Sequence, residues 1–120
     1  MSRPKKLEHP LFKLLANEDV DSFNQQKADT FTVLEPLDFQ SADLRGLNLR
    51  GLDAAGIDFR NAYFRRSDLR GIDFRDTLLE GATINGAKIS GCYFANNLRA
   101  EEILMSLTAG TRMRCNPPHI

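Results

Sequence analysis

The sequence has no tryptophan and only two histidines and two cysteines among its 120 residues. Cys92 and Cys115 have neither a Cys-x-x-Cys spacing nor a nearby histidine, so they form neither a zinc site nor a disulfide framework. His9 and His119 lie in the terminal segments, which we expect to be mobile, and neither has a serine, cysteine or carboxylate partner at a catalytic spacing. We therefore expect a non-enzymatic protein with no catalytic residue, no metal site and no cofactor.

The chain also lacks an excess of charge, because 16 Lys and Arg balance 16 Asp and Glu. No global field therefore attracts it to nucleic acid or to a membrane. It has no apolar run long enough to span a bilayer, and its basic start lacks the apolar core of a secretion signal. We expect a cytoplasmic protein with reduced thiols.

Proline is absent between residues 37 and 96, although the chain contains five prolines. Because proline cannot donate a backbone hydrogen bond, its absence favours a segment whose amides are all needed for pairing. This segment divides the chain into three predicted parts. Residues 1–36 are an N-terminal helical cap, 37–96 are a repeat, and 97–120 are a C-terminal capping helix with an irregular tail.

Short amphipathic helices are predicted in both flanking parts. In the N-terminal part, Asn17 is the expected break, and Asp19 is placed to cap a second helix over 20–27. In the C-terminal part, the apolar spacing predicts a helix over 98–109. Its expected buried face consists of Ala100, Ile103, Leu104 and Leu107.

Residues 37–96 consist of twelve units of five: LDFQS, ADLRG, LNLRG, LDAAG, IDFRN, AYFRR, SDLRG, IDFRD, TLLEG, ATING, AKISG and CYFAN. The third position is always apolar, and glycine fills the fifth position in seven units. A period of five suits neither a helix nor a strand, so the chain must turn a corner in every unit. Glycine tolerates the dihedrals of such turns, and Asp or Asn at the second position can bond to nearby backbone.

The units ADLRG, SDLRG and IDFRN resemble the pentapeptide-repeat family, whose motif is a small residue, Asp or Asn, Leu or Phe, and two variable residues. The resemblance covers half of the chain. It implies an all-β solenoid core, a right-handed quadrilateral β-helix in which four units make one square coil. Twelve units then make about three coils, with short α-helical segments at both ends.

We call the three successive twenty-residue stretches block one (37–56), block two (57–76) and block three (77–96). The implied register stacks residues that are twenty positions apart. The predicted inner columns include Phe39–Phe59–Leu79, Leu44–Phe64–Ile84, Leu49–Leu69–Ile89 and Ala54–Phe74–Phe94.

Arginines and one tyrosine are the most distinctive outward residues of blocks one and two. They are candidate partner contacts: Arg45, Arg50, Arg60, Arg65, Arg66, Arg70, Arg75 and Tyr63. Ladders of arginine can bind phosphate or acidic partners. Aspartates two residues before several arginines offer the alternative of a self-paired surface, and the sequence leaves both interpretations open.

The resemblance implies a protein-interaction or scaffold module, with a protein partner of unknown identity and with self-association left open. One alternative is a DNA-mimic-like modulator of a type II topoisomerase, as some family members are, but neutral charge and short length disfavour it. A second alternative is weak nucleic-acid binding through the arginine ladders. Neutral charge and the presence of only two outward tyrosines argue against that interpretation.

Overall fold

In a computed structural model, residues 3–30 and 37–117 are described. Three helices, α1 (Pro10–Ala16), α2 (Val20–Thr30) and α3 (Ala100–Ala109), flank the repeat. Two short strands, β1 (Leu37–Asp38) and β2 (Ile57–Asp58), form a parallel pair inside it. None of the helices in the described ranges has the length and apolarity needed to cross a membrane. His119 lies outside the described residues.

Parallel pairing with an offset of twenty residues organises the whole repeat. β1 and β2 pair Leu37 with Ile57 and Asp38 with Asp58. Isolated bridges continue the same offset: Asp43–Tyr63, Asn48–Asp68, Asp58–Leu78, Tyr63–Thr83, Asp68–Lys88 and Asp73–Tyr93. The predicted register of residues four units apart is therefore confirmed from block one to block three.

A tight turn connects each unit to the next. The amide of Ala62 donates to the carbonyl of Phe59 at 2.9 Å, and that of Ser67 to Phe64 at 3.0 Å, which is the pattern of most units. The fifth position of a unit has a positive φ at the seven glycines and also at Ser41, Asn61 and Arg66. Glycine takes this left-handed conformation without the steric penalty that other residues incur. The sequence therefore repeats every five residues because the backbone turns once in each unit of five.

Side chains at the second position stabilise these turns. Asp58 Oδ1 accepts a hydrogen bond from the amide of Arg60 at 3.0 Å, and Asp73 Oδ1 accepts one from Arg75 at 3.0 Å. Every Asp or Asn at this position of the repeat makes the same bond: Asp38, Asp43, Asn48, Asp53, Asp58, Asp68 and Asp73. Asp and Asn side chains commonly accept a hydrogen bond from the backbone amide two residues later, as expected from the sequence.

Third-position side chains fill the interior. Phe39, Phe59 and Phe64 are fully buried, and the ring centroid of Phe59 lies 6.2 Å from Phe39 and 5.2 Å from Phe64. The packing loosens in block three, where Ile89 and Phe94 are only half-buried. The tightest part of the core therefore lies in blocks one and two.

The N-terminal segment bonds to the outer edge of block one. The amide of Asp43 donates to the carbonyl of Lys5 at 2.8 Å, that of Asn48 to the Glu18 carboxylate, and that of Asp53 to Asn24 Oδ1 at 2.9 Å. In blocks two and three, amides at the corresponding positions donate to carbonyls of the block before: those of Tyr63, Asp68, Thr83, Lys88 and Tyr93. The N-terminal segment therefore supplies the acceptors that a preceding block would have supplied.

The two N-terminal helices place aromatic rings on the end of the core. Ring centroids of Phe12 and Phe23 lie 5.9 and 6.2 Å from that of Phe39. The predicted N-cap of α2 is confirmed, because Asp19 Oδ1 accepts a hydrogen bond from the amide of Ser22 at 3.2 Å. α2 extends to Thr30, three residues beyond the predicted end at residue 27.

The C-terminal segment satisfies the opposite edge, in block three. The amide of Ile84 donates to the Ser106 hydroxyl at 3.0 Å, and that of Gly86 to the Leu107 carbonyl at 3.0 Å. Gly81 and Met113 complete this edge, since the amide of Gly81 donates to the Met113 carbonyl at 2.7 Å. The segment after residue 97 thus takes the place of a fourth block.

The predicted buried face of α3 is partly wrong. Leu104 is 60% exposed and Ala100 is exposed, whereas Ser106 is fully buried and Ile103 and Leu107 are half-buried. The helix is rotated because it docks through hydrogen bonds to edge amides rather than through its most apolar stripe. An unmet amide costs more than an exposed leucine.

We expect Ser106→Ala to lower the free energy of unfolding by about 1–3 kcal/mol, because it leaves the buried amide of Ile84 without an acceptor. Thr108→Ala is the matched control, since within ranges 3–30 and 37–117 this exposed hydroxyl bonds only to the Leu104 carbonyl of its own helix. Urea unfolding of both variants measures the difference. Equal stability of the two variants would contradict the role of Ser106.

Candidate interaction surface

Four of the candidate arginines are bound to the aspartate two residues before them. The side-chain pairs are Arg45–Asp43, Arg60–Asp58, Arg70–Asp68 and Arg75–Asp73, with shortest distances of 2.7–2.8 Å between nitrogen and oxygen. In each pair two guanidinium nitrogens contact the carboxylate. For these four, the self-paired alternative describes the surface.

Three candidate arginines, Arg50, Arg65 and Arg66, form no ion pair with any residue in ranges 3–30 and 37–117. The reason lies in the repeat itself. Asn48 occupies the second position of the unit that contains Arg50, and Tyr63 occupies that of the unit that contains Arg65. Neither unit therefore has a second-position aspartate to pair with its arginine. The second-position residue was the sequence signal that separates these arginines from the paired ones.

Arg65 and Arg66 line a cleft between the N-terminal segment and the flank of blocks one and two. Its volume is about 440 Å³. Its lining residues are Lys6, Ala16, Asp43, Arg45, Gly46, Leu47, Arg65 and Arg66, which we call the basic cleft. Of the residues that the structure describes, four with cationic side chains and one with a carboxylate line this space. The sequence does not indicate Lys6 as a member of this site, because it lies 39 positions before Arg45, the next basic residue of the cleft.

Arg50 lies elsewhere, in a separate cleft that also contains Arg70. Acidic residues of the N-terminal segment, Glu18, Asp19 and Asp21, line the same space. The charge of Arg50 therefore faces carboxylates, while those of Arg65 and Arg66 face other cations.

Tyr63 is half-buried and is engaged by the C-terminal segment. The guanidinium of Arg112 lies 5.2 Å from the centroid of the Tyr63 ring and donates to its hydroxyl at 2.7 Å. A second nitrogen of Arg112 donates to the Gly81 carbonyl at 2.9 Å. Tyr93, by contrast, is 58% exposed, with the Arg75 guanidinium 4.6 Å from its ring centroid. Tyr63 is therefore less accessible to a partner than its outward second position in the unit predicts.

A family model described as "Pentapeptide repeats" matches eight copies over residues 38–74 and 57–96. The chain belongs to the pentapeptide-repeat family. No curated protein and no solved structure matches it. Pentapeptide-repeat proteins are generally non-enzymatic structural or interaction modules.

Two ion pairs of this pentapeptide-repeat protein, Asp68–Arg70 and Asp73–Arg75, are charged at neutral pH. Hydrogen bonds from Arg70 and Arg75 lower the pKa values of Asp68 and Asp73 to about 2, because they stabilise the carboxylate form. The same interaction with Arg45 lowers the pKa of Asp43. Each pair is locally neutral, so it adds little to the field of the surface.

Cys92, Cys115 and His9 lie where they contribute to the structure of the protein. Burial raises the pKa of Cys92, and burial with the nearby Glu80 carboxylate raises that of Cys115 to about 11, so both are thiols at neutral pH. The expectation that His9 is mobile is wrong, because its Nδ1 accepts from the amide of Leu11 at 3.0 Å and caps α1. Among the described residues, no group of three or more His, Cys, Asp or Glu is placed to hold a metal ion.

Proposed function

We propose that this pentapeptide-repeat protein is a non-enzymatic protein-interaction module built on a right-handed quadrilateral β-helix of about three coils. Pairing at an offset of twenty residues supports one coil per four units. A turn in every unit supports four sides per coil. We further propose that residues 1–36 and 97–120 cap the two ends, because both segments bond to edge amides of the repeat.

The basic cleft carries the interaction proposal. Arginine anchors interfaces because it combines large contact area with several hydrogen-bond donors. Of the proposed contacts, Arg65 and Arg66 come first, since their guanidinium groups have no carboxylate partner in the described chain. Arg45, Arg50, Arg60, Arg70, Arg75 and Tyr63 remain secondary candidates on the same two blocks.

The two nucleic-acid alternatives have less support. A DNA mimic needs dense negative charge, about one per 1.7 Å of duplex axis, whereas four aspartates of this repeat are neutralised by arginines. Binding of single strands uses open aromatic faces, and the Tyr63 ring is covered by Arg112. A cytoplasmic location stays a prediction from the sequence.

We expect the double variant Arg65→Glu/Arg66→Glu to lose the proteins that the wild type captures from an extract of the source cells. Both side chains are exposed, so the melting temperature should change by no more than about 2 °C. Affinity capture with mass spectrometry checks the first result, and a thermal melt checks the second.

Lys88→Glu is the control, because this exposed lysine lies in block three, outside the basic cleft. It should capture the same proteins as the wild type. The proposal is overturned if the wild type captures nothing above background, or if the double variant retains every protein.

A further inference from the structure

We propose that the basic cleft binds an acidic peptide, an extended stretch of a partner chain with several closely spaced Asp or Glu residues. This inference rests on the proposed interaction function and adds the chemical class of the bound segment.

The charge of the cleft is strongly unbalanced. Among the described residues, Asp43 is the only acidic side chain in its lining, and it is shared by Arg45 at 2.8 Å and Lys6 at 3.9 Å. Arg65 and Arg66 are left with no carboxylate among the described residues. Guanidinium groups bind carboxylates through paired hydrogen bonds, so carboxylates from outside would complete both arginines.

The walls of the cleft suit a peptide rather than a single ion. Its volume of about 440 Å³ lies within the range of ligand clefts, about 300–1,000 Å³. Leu47 and Ala16 contribute apolar surface, and Gly46 contributes backbone without a side chain. Methylene groups of Glu, or an apolar residue between two Glu, would contact this apolar part.

The surroundings disfavour a nucleic-acid strand. A strand needs a continuous basic track along its phosphates. Here the neighbouring cleft carries Glu18, Asp19 and Asp21, so the positive surface ends after a short distance. A short acidic segment needs only the basic cleft itself.

The test is fluorescence anisotropy with the fluorescein-labelled peptide GEELEEG and the uncharged peptide GQQLQQG. We expect GEELEEG to bind the wild type in low salt, to bind more weakly as salt is added, and to bind better than GQQLQQG. Arg65→Gln/Arg66→Gln should weaken binding about tenfold or more, since two ion pairs are lost. Lys88→Gln is the matched control, because Lys88 is an exposed cation of block three that lies outside the cleft, and it should bind within about twofold of the wild type.

Three results would overturn the inference: equal binding of the two peptides or no binding, equal losses in the cleft and control variants, or tighter binding of a labelled oligothymidine.

The capture experiment distinguishes a failure of this inference from a failure of the proposed function. Proteins captured through Arg65 and Arg66 without any GEELEEG binding would refute the acidic peptide alone. An empty capture by the wild type would refute the interaction function itself.

Discussion

Replacing Phe64 by alanine will lower the free energy of unfolding by about 3–5 kcal/mol. Phe64 has no exposed surface, and its ring centroid lies 5.2 Å from Phe59 and 6.1 Å from Phe74. It belongs to block two, which is hydrogen-bonded to a block on each side, so the surrounding backbone cannot collapse into the space. The loss therefore includes both the transfer of the ring and the cavity that it leaves. Urea unfolding measures the effect.

Tyr93→Ala is the control for this prediction. Tyr93 is also an aromatic residue of the repeat, but it occupies an outward second position and is 58% exposed. Its removal gives up a contact with the Arg75 guanidinium, worth about 1 kcal/mol or less. If both variants melt within a few degrees of the wild type, Phe64 does not have the inward position that the register requires.

Ending the chain after Asn96 will convert the protein into oligomers or aggregates. The deletion removes the Ser106 hydroxyl and the carbonyls of Leu107 and Met113, which accept from the amides of block three. It also uncovers apolar side chains such as Ile84, which is buried in the whole protein. An open edge with unpaired amides beside apolar surface is a template for another copy of the chain. Size-exclusion chromatography with light scattering reports the mass.

Leu104→Ser is the control for the deletion, because it changes α3 on its exposed side and leaves the edge bonds in place. We expect this variant to have the same mass in solution as the wild type. A truncated chain that has the wild-type mass and the wild-type resistance to urea would show that the C-terminal segment does not protect block three.

Within the repeat, most of the local structure was predictable. The turn in each unit and the backbone bonds of the second-position aspartates depend on residues within five positions of one another, so they are visible in the pattern of the units. The offset of twenty joins different units, and it was implied by the resemblance to the pentapeptide-repeat family. The pairing of Arg60 with Asp58 was one of the two interpretations that the sequence left open, since both residues belong to one unit. Arg65 has no aspartate in its own unit, because Tyr63 occupies the second position.

The errors occurred where distant segments meet. Cys115 is buried, and its amide donates to the Glu80 carboxylate 35 positions earlier, which its own stretch of sequence does not indicate. The exposed position of Leu104 follows from the bond between Ser106 and Ile84. Apolar periodicity could not show either, because it records which side chains avoid water and not which backbone amides lack an acceptor.

The sequence by itself determined the repeat, the turn in every unit and the inward and outward positions of its side chains, because short-range turn chemistry sets these features unit by unit. The family resemblance that the same units carry implied the offset of twenty. Only the tertiary structure decided how the two terminal segments lie on the repeat and which charges they bring to it. Lys6 joins Arg65 at the basic cleft, and Arg112 covers Tyr63, through contacts between residues far apart in the chain. Such contacts depend on where unpaired backbone and uncovered surface remain after the blocks have paired, which is a property of the assembled fold.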